Sequence, residues 1–373
     1  MRAVVAVVSF AAVLLVLIDV FNTIVLARRT RNSFRITRAV YRISWKPYSF
    51  VARRIRSSKR REAFLGAYGP LSLLTIFALW AIALIVAFGG LQWAAGLHPS
   101  TIPGTLGDDF FLSASAFLTL DAGSPRNTLS RVITAAEAGI GLSLLGLVVG
   151  YLPVFYEAFA QRELQISLLD ARAGSPPSAL ELLKVRISSE SRVERYLEAW
   201  EKWAAEILEG QLSFPMMAWF RSHHGNQSWL TALAAMADTS AVISICAQGD
   251  LKTQAEFTFA MARHALADVA AILRLEPCPP EEDRLSKQDL DAIRGALEES
   301  QLPLNAESLS LKALNELRAM YEPQAHALSN YLLMALPAWR PDEEPAENWR
   351  KRGISRREVS STVSDPFRAD SDL

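Results

Sequence analysis

Three apolar runs constrain this chain more than any other feature of its sequence. They extend from Ala3 to Ala27, from Leu71 to Ala94 and from Val132 to Phe159. Each is long enough to cross a hydrocarbon core of roughly 30 Å, which takes about 20 helical residues. A backbone in lipid must satisfy its own hydrogen bonds, so the runs predict membrane-spanning helices. A cleavable signal peptide is the competing reading of the first run. That run is too long for one, and no small-residue cleavage site precedes the arginines that follow it.

The loops set the orientation. A formal net charge of zero hides a strong segregation: basic residues crowd the first half and acidic ones concentrate later. Arg28, Arg29, Arg31, Arg35, Arg38, Arg42 and Lys46 are followed by Arg53, Arg54, Arg56, Lys59, Arg60 and Arg61, with no acidic residue among them. The loop from Gly96 to Ser130 carries Asp108, Asp109 and Asp121 against Arg126. The positive-inside rule puts the first loop in the cytoplasm and the second outside. The N-terminus is then outside, and everything after Phe159 is cytoplasmic, as expected of a multi-pass protein of the cell (plasma or inner) membrane. Phe34, Tyr41, Trp45, Tyr48 and Phe50 interleave the basic residues. A segment tethered to the bilayer at both ends suits anionic lipid headgroups better than nucleic acid.

The second loop holds a stretch too short to span. From Asp108 the chain reads Asp-Asp-Phe-Phe-Leu-Ser-Ala-Ser-Ala-Phe-Leu-Thr-Leu-Asp-Ala-Gly-Ser-Pro, ending at Pro125. The aspartates sit where an N-cap would be, and the apolar pattern stops at a polar, Gly-containing stretch. These features predict a re-entrant half-helix. Irregular backbone at membrane depth persists only where protein buries it or where it lines a water-filled cavity.

The order span, short helix, Thr-x-x-x-Gly, span resembles the pore module of the potassium-channel superfamily, over roughly Leu71 to Phe159. In that family the filter reads Thr-Val-Gly-Tyr-Gly, and carbonyls from four copies replace the ion's hydration shell. The resemblance implies an ion filter at Thr119, Leu120, Asp121, Ala122 and Gly123, with Asp121 and Ala122 replacing the family's first glycine and its tyrosine. It implies a homotetramer, because one module supplies a quarter of a filter, and a permeant monovalent cation such as potassium rather than a bound cofactor. Glu137-Ala138-Gly139-Ile140-Gly141 resembles the inner-helix hinge, with Gly139 the better candidate and Gly141 the second. The cytoplasmic part, with Trp200-Glu201-Lys202-Trp203 and Asn226-Gln227-Ser228-Trp229, is similar to that of bacterial channel-like proteins, a vaguer likeness that implies no activity. Asp121 departs from the pattern in two ways. It tolerates left-handed backbone less well than glycine, and four copies would place a carboxylate ring at or near the axis. A cation channel is one reading; a non-conducting receptor or scaffold built on a degenerate pore module is the other.

Several residues need separate accounts. Asp19 lies inside the first run, where a carboxylate costs several kcal/mol and is a functional candidate by default; pairing with Arg28, Arg29 or a neighbouring helix is the simpler expectation. Glu137 either supports the pore by bonding Ser113 or Ser115 or snorkels outward, and a structural buttress is expected before an ion ligand. Gly146 and Gly150 permit close helix packing. Cys246 and Cys278 form no CxxC, and no metal-ligand spacing emerges from the cysteines, from His223-His224, or from His98, His264 and His326. The sequence carries no GxSxG, P-loop, HExxH or dinucleotide motif, so an enzyme is not expected.

The predicted fold is an all-α membrane protein: three transmembrane helices, a re-entrant pore helix and an α-helical cytoplasmic domain. Its parts are the first transmembrane helix (1–28), a basic interfacial loop (29–66), the pore module (67–160), the helical domain (161–340) and a charged tail (341–373) too poor in apolar residues to order. The third span should continue to Arg172 and break at Gly174-Ser175-Pro176-Pro177. Ser191-x-x-Glu194 and Ser286-x-x-Asp289 read as helix starts. Trp229 to Ala247 imitates a fourth span, but Asp238, Thr239 and Ser240 interrupt it, so a buried core helix is expected. Gly249 should end that helix and Asp250 cap the next, which should reach about Leu275. Two further helices should divide near Pro323, with Pro337 closing the last.

Overall fold

The computed structural model describes residues 1–26, 36–95, 106–120, 128–173, 175–184, 189–223, 227–280, 282–300 and 302–340, and every regular element among them is helical. The α-helices are α1 (Arg2–Val20), α2 (Ile36–Arg54), α3 (Ser58–Ala94), α4 (Leu106–Phe117), α5 (Thr128–Ala173), α6 (Ala179–Leu183), α7 (Glu190–Ser213), α8 (Trp229–Cys246), α9 (Gly249–Ile272), α10 (Lys287–Glu299), α11 (Leu311–Arg318) and α12 (Glu322–Leu332). One π-helical turn, Phe21–Val25, extends α1, and a 3-10 turn, Pro215–Trp219, follows α7.

Among the described residues, four helices are long and apolar enough to cross a membrane: α1 with its π turn, α3, α5 and α8. Burial separates the last of them. Of α8, 94% is buried inside the protein, against 17% of the most apolar stretch of α5. A lipid-facing helix leaves much of its perimeter uncovered, whereas α8 is enclosed by α5, α6, α7, α9, α11 and α12. It is the core of the α6–α12 domain, as Asp238, Thr239 and Ser240 predict.

That core contains a charged network that the sequence does not announce. Arg284 bonds both carboxylate oxygens of Asp238 (3.1 and 3.2 Å) and Glu322 (2.6 Å). Arg318 bonds Glu322 (3.0 Å) and Asp283, and the Tyr321 hydroxyl donates to Asp238. Both guanidiniums lie about one ring-width from the buried Trp339, at 6.0 and 5.8 Å from its centroid. Burial alone would push the Asp283 carboxyl up, but hydrogen bonds from Arg318 and the Leu285 N–H bring it below its ordinary value. The last described segment is strapped to the domain through the carbonyls of Ala335, Pro337 and Trp339, which accept from Thr231, Arg284 and the Leu180 N–H.

Asp19 is paired, through neighbouring helices. Its Oδ2 accepts from the Trp80 indole (2.9 Å), the Thr37 hydroxyl (2.8 Å) and the Thr37 N–H (3.2 Å). The last of these is an N–H that α2 leaves unsatisfied in its first turn, so a carboxylate from α1 caps α2. Arg28 and Arg29 lie outside the described residues. The Tyr41 phenol, buried on the inner face of α2, is pushed well above its ordinary value by that burial and stays a neutral hydrogen-bonding group.

Helix starts divide into those read correctly and those corrected. Ser286 and Asp289 form a full reciprocal capping box. Ser191 does not: α7 starts two residues earlier than a Ser191 cap would place it, at Glu190, its N-cap is Ser189, and the two serine hydroxyls bond each other (2.8 Å) rather than the backbone. Asp250 is not a cap. Gly249, at φ +63°, opens α9, and Asp250 falls in the first turn, where its charge meets the helix dipole. Likewise Asp108 and Asp109 are first-turn residues of α4. The last helix ends at Leu332, before Pro337, with Leu333 in the left-handed conformation.

The membrane helices and the domain meet at residues 214–221. Trp219 stacks on Tyr41 (4.6 Å), and Phe220 packs edge-on against Phe155 of α5 (4.8 Å). Phe220 also presses so close to α3 that a Cβ at Gly69 would lie 2.7 Å from its ring. The buried Arg162 donates to the carbonyls of Met217 and Phe220. Arg221 reaches the carbonyls of Leu332 and Leu333 and faces Glu62. One short turn thus touches α2, α3, α5 and α12.

Candidate functional site

The site is built around α4, twelve residues between α3 and α5. Two glycines admit it. A Cβ on Gly89 would fall 2.5 Å from the Phe110 ring, and one on Gly141 would fall 2.4 Å from the backbone oxygen of Phe117. Gly141, a hinge candidate by resemblance, is therefore where α5 passes beneath the end of α4. A Cβ on Gly139, Gly146 or Gly150 would meet no side chain or neighbouring element among the described residues within 4 Å.

Three polar side chains lock α4 in place, one from each helix. Gln92 of α3 donates to Glu137 Oε2 (2.9 Å), and Ser113 of α4 contacts both Glu137 Oε1 and the Ile85 carbonyl (2.7 Å). All three side chains are buried. Of the two partners expected for Glu137, the structure selects Ser113; Ser115, also buried, instead supplies a carbonyl to the helix end. Gln92 was not singled out from sequence, although a lone amide inside an apolar run is itself a signal.

The end of α4 has a defined geometry. The Leu120 N–H bonds the Ser115 carbonyl and the Thr119 N–H bonds the Ala116 carbonyl, the paired pattern of a Schellman motif. Thr119 occupies the left-handed position at φ +57°. That site normally takes glycine, and a β-branched residue there costs about 1–2 kcal/mol. Thr119 and Leu120 are exposed; Asp121, Ala122 and Gly123 lie outside the described residues.

No protein-family model, curated protein or solved structure matches this chain. What it does must be read from its own geometry. Among the described residues, no group of three His, Cys, Asp or Glu is placed to hold a metal ion. Cys246 and Cys278 are both free thiols. A cavity of about 260 Å³ opens between α5 and α7, lined by Arg162, Trp203, Glu206, Glu209 and Met217 among others. Its guanidinium is already engaged by Glu163 and two carbonyls. The α4 arrangement is more specific: it positions the end of a short helix, and the strained residue that follows it, at a fixed place between two long apolar helices.

Proposed function

We propose that four copies of this chain assemble around one axis as a cation channel, each contributing α4 and the stretch Thr119–Gly123 as an atypical filter. In this reading α1, α3 and α5 cross the bilayer, α4 is re-entrant, and the N-terminus is outside. The observation that carries it is α4 itself. At about 1.5 Å per residue it is about 18 Å long, too short to cross. It is nevertheless locked between two apolar helices and ends in strained backbone two residues before Asp121. Irregular backbone held there at membrane depth is the arrangement of a pore loop.

The topology has independent support. Trp45 donates to the Tyr331 carbonyl and Arg53 to the Asn330 carbonyl, so the basic α2 and the α6–α12 domain share one side. An even number of crossings must separate them, which α3 and α5 supply only if α4 does not cross. On α2, Ile43, Phe50 and Val51 remain exposed beside the basic residues, a surface suited to anionic headgroups. The glycines of α5 whose added Cβ would meet no neighbouring element among the described residues suit close packing against another copy. Cysteines introduced at Ser100 and Ser124 are expected to react with a membrane-impermeant thiol reagent in intact cells, and one at Ser57 is not. Labelling of the Ser57 variant from outside would overturn the orientation.

The second reading, a non-conducting receptor or scaffold, is favoured by Asp121 and Ala122 at positions where the family filter has glycine and tyrosine. Reversal potentials in planar bilayers decide between the two, with native mass of the same preparations checking for four chains. Close carboxylates raise one another's proton affinity, so the Asp121 ring should carry fewer than four negative charges and still prefer cations. Asp121→Asn should lower cation-over-anion preference under asymmetric KCl. The double change Asp121→Gly with Ala122→Tyr should shift bi-ionic potentials toward potassium over sodium. Identical potentials in all three proteins would remove Asp121 from the permeation path. Normal four-chain assembly without conduction in any of them would favour the scaffold.

A further inference from the structure

The bonds around Ser113 do not close if Glu137 is ionised. A hydroxyl has one proton, and an ionised carboxylate only accepts. Ser113 Oγ nevertheless lies within bonding distance of two acceptors, the Ile85 carbonyl and Glu137 Oε1. With the proton directed to either one, the other contact sets two lone-pair oxygens against each other in a site closed to water. Gln92 does not relieve this, because its amide N–H bonds Glu137 Oε2 and not Oε1 or the Ile85 carbonyl. A proton on the carboxyl group completes the chain: Glu137 Oε1–H donates to Ser113, Ser113 donates to Ile85, and Gln92 donates to Glu137 Oε2.

Among the described residues, the side chains bonded to Glu137 are Gln92 and Ser113, and neither is a cation. Beyond Trp80, α3 carries no ionisable residue as far as Ala94. From α4 come Asp108 and Asp109, themselves acidic and each with an interaction of its own. Arg131 of α5 stands six residues before Glu137 and is likewise engaged, and Arg2 of α1 is exposed. A buried carboxylate without a cation is costly enough that such a group neutralises instead.

We propose that Glu137 is a neutral carboxylic acid in the folded protein, and that its proton is the latch holding α4 between α3 and α5. It is a positioning residue, acting on α4 through Ser113. Alkaline conditions that strip this proton return Ser113 to two competing acceptors and leave an unpaired charge in the seam, so α4 loosens. The inference does not depend on conduction and stands if the pore reading fails.

Infrared spectra of the full-length protein in lipid test it. Subtracting Glu137→Gln from the parent at neutral pH should leave a protonated-carboxyl C=O band, since the amide can donate to Ser113 in the acid's place. Ser113→Ala should shift that band by removing its acceptor, which a merely space-filling role would not do. As pH is raised until the band vanishes, hydrogen exchange in α4 should accelerate on the order of tenfold or more in the parent and not in Glu137→Gln. Loss of ionised-carboxylate bands instead of the C=O band would overturn the proposal. Equal alkaline acceleration in both proteins would overturn the latch. Should Glu137→Gln misfold, an unshifted band in Ser113→Ala overturns the proposed chain.

Discussion

Arg284→Met is expected to unfold the α6–α12 domain at temperatures the parent survives. Arg284 is nearly enclosed, and three acceptors face it: Asp238, Glu322 and the Pro337 carbonyl. Burial opposes its charge, but Asp238 and its other acidic neighbours hold the guanidinium above its ordinary value. Removing it leaves Asp238 without a cation in the middle of α8, and Glu322 with Arg318 alone. Breaking a buried pair from one side costs about 3–5 kcal/mol, a large share of the 5–15 typical of a whole domain. Met fills much of the same volume, so the loss measures charge rather than a cavity. The control is Lys202→Met, where an exposed lysine lies 3.9 Å from Glu206 and the expected change is about 0–1 kcal/mol. Thermal melts followed by tryptophan fluorescence and circular dichroism would compare them. Adding Asp238→Asn to Arg284→Met should recover part of the loss. If Arg284→Met melts with Lys202→Met, the network does not hold the domain.

The same cluster has an acid limit. Asp283 sits below its ordinary value, so its share of stability is present above the usual carboxylate range and fades as pH falls through the lowered value. Asp283→Asn should flatten that acid limb without moving the neutral-pH baseline by as much as Arg284→Met does.

What could be read from the chain follows the range of the interaction that decides it. The long helices are legible because a run of apolar residues is a local signal. The Ser286 capping box is legible because both partners lie within one turn. Ser191 misled because hydroxyls two residues apart bonded each other, an equally local option that spacing does not rank. α8 has the hydropathy of a span, and its burial inside the protein shows in sequence as the interruption at Asp238, Thr239 and Ser240; the cation of Asp238, Arg284, is 46 residues away. Asp19 was legible as a charge that a neighbouring helix could satisfy, but the partner itself was not: Trp80 stands 61 residues along, in another helix. The short helix α4 could be read from its length, whereas the Gln92–Glu137–Ser113 lock needs three helices in register. Thr119 carried no sign of left-handed backbone, since nothing in its side chain favours it.

Gly139 and Gly141 carry the prediction that most sharply separates resemblance from geometry. As hinges, both would lend α5 flexibility, and alanine at either would stiffen it and alter gating alike. The structure gives them different neighbours. A Cβ at Gly141 would lie 2.4 Å from the Phe117 carbonyl oxygen, a backbone atom that cannot rotate away. The end of α4 must therefore move, and overpacking of this kind costs about 1–3 kcal/mol. Alanine also favours the helix by roughly 0.5–1 kcal/mol over glycine, too little to offset the clash. At Gly139 a Cβ meets no neighbouring element among the described residues within 4 Å, so only the helix gain remains. The two alanine variants are expected to change stability with opposite signs: Gly141→Ala downward with faster hydrogen exchange at residues 106–120, Gly139→Ala slightly upward with α4 unchanged. Thermal melts and exchange on the assembled protein in lipid check both. Equal effects on gating, with α4 exchange unmoved in both, would restore the hinge to Gly141. Destabilisation by Gly139→Ala only in the assembled state would instead mean that another copy covers that face of α5, since among the described residues no neighbouring element is near enough to resist the added methyl.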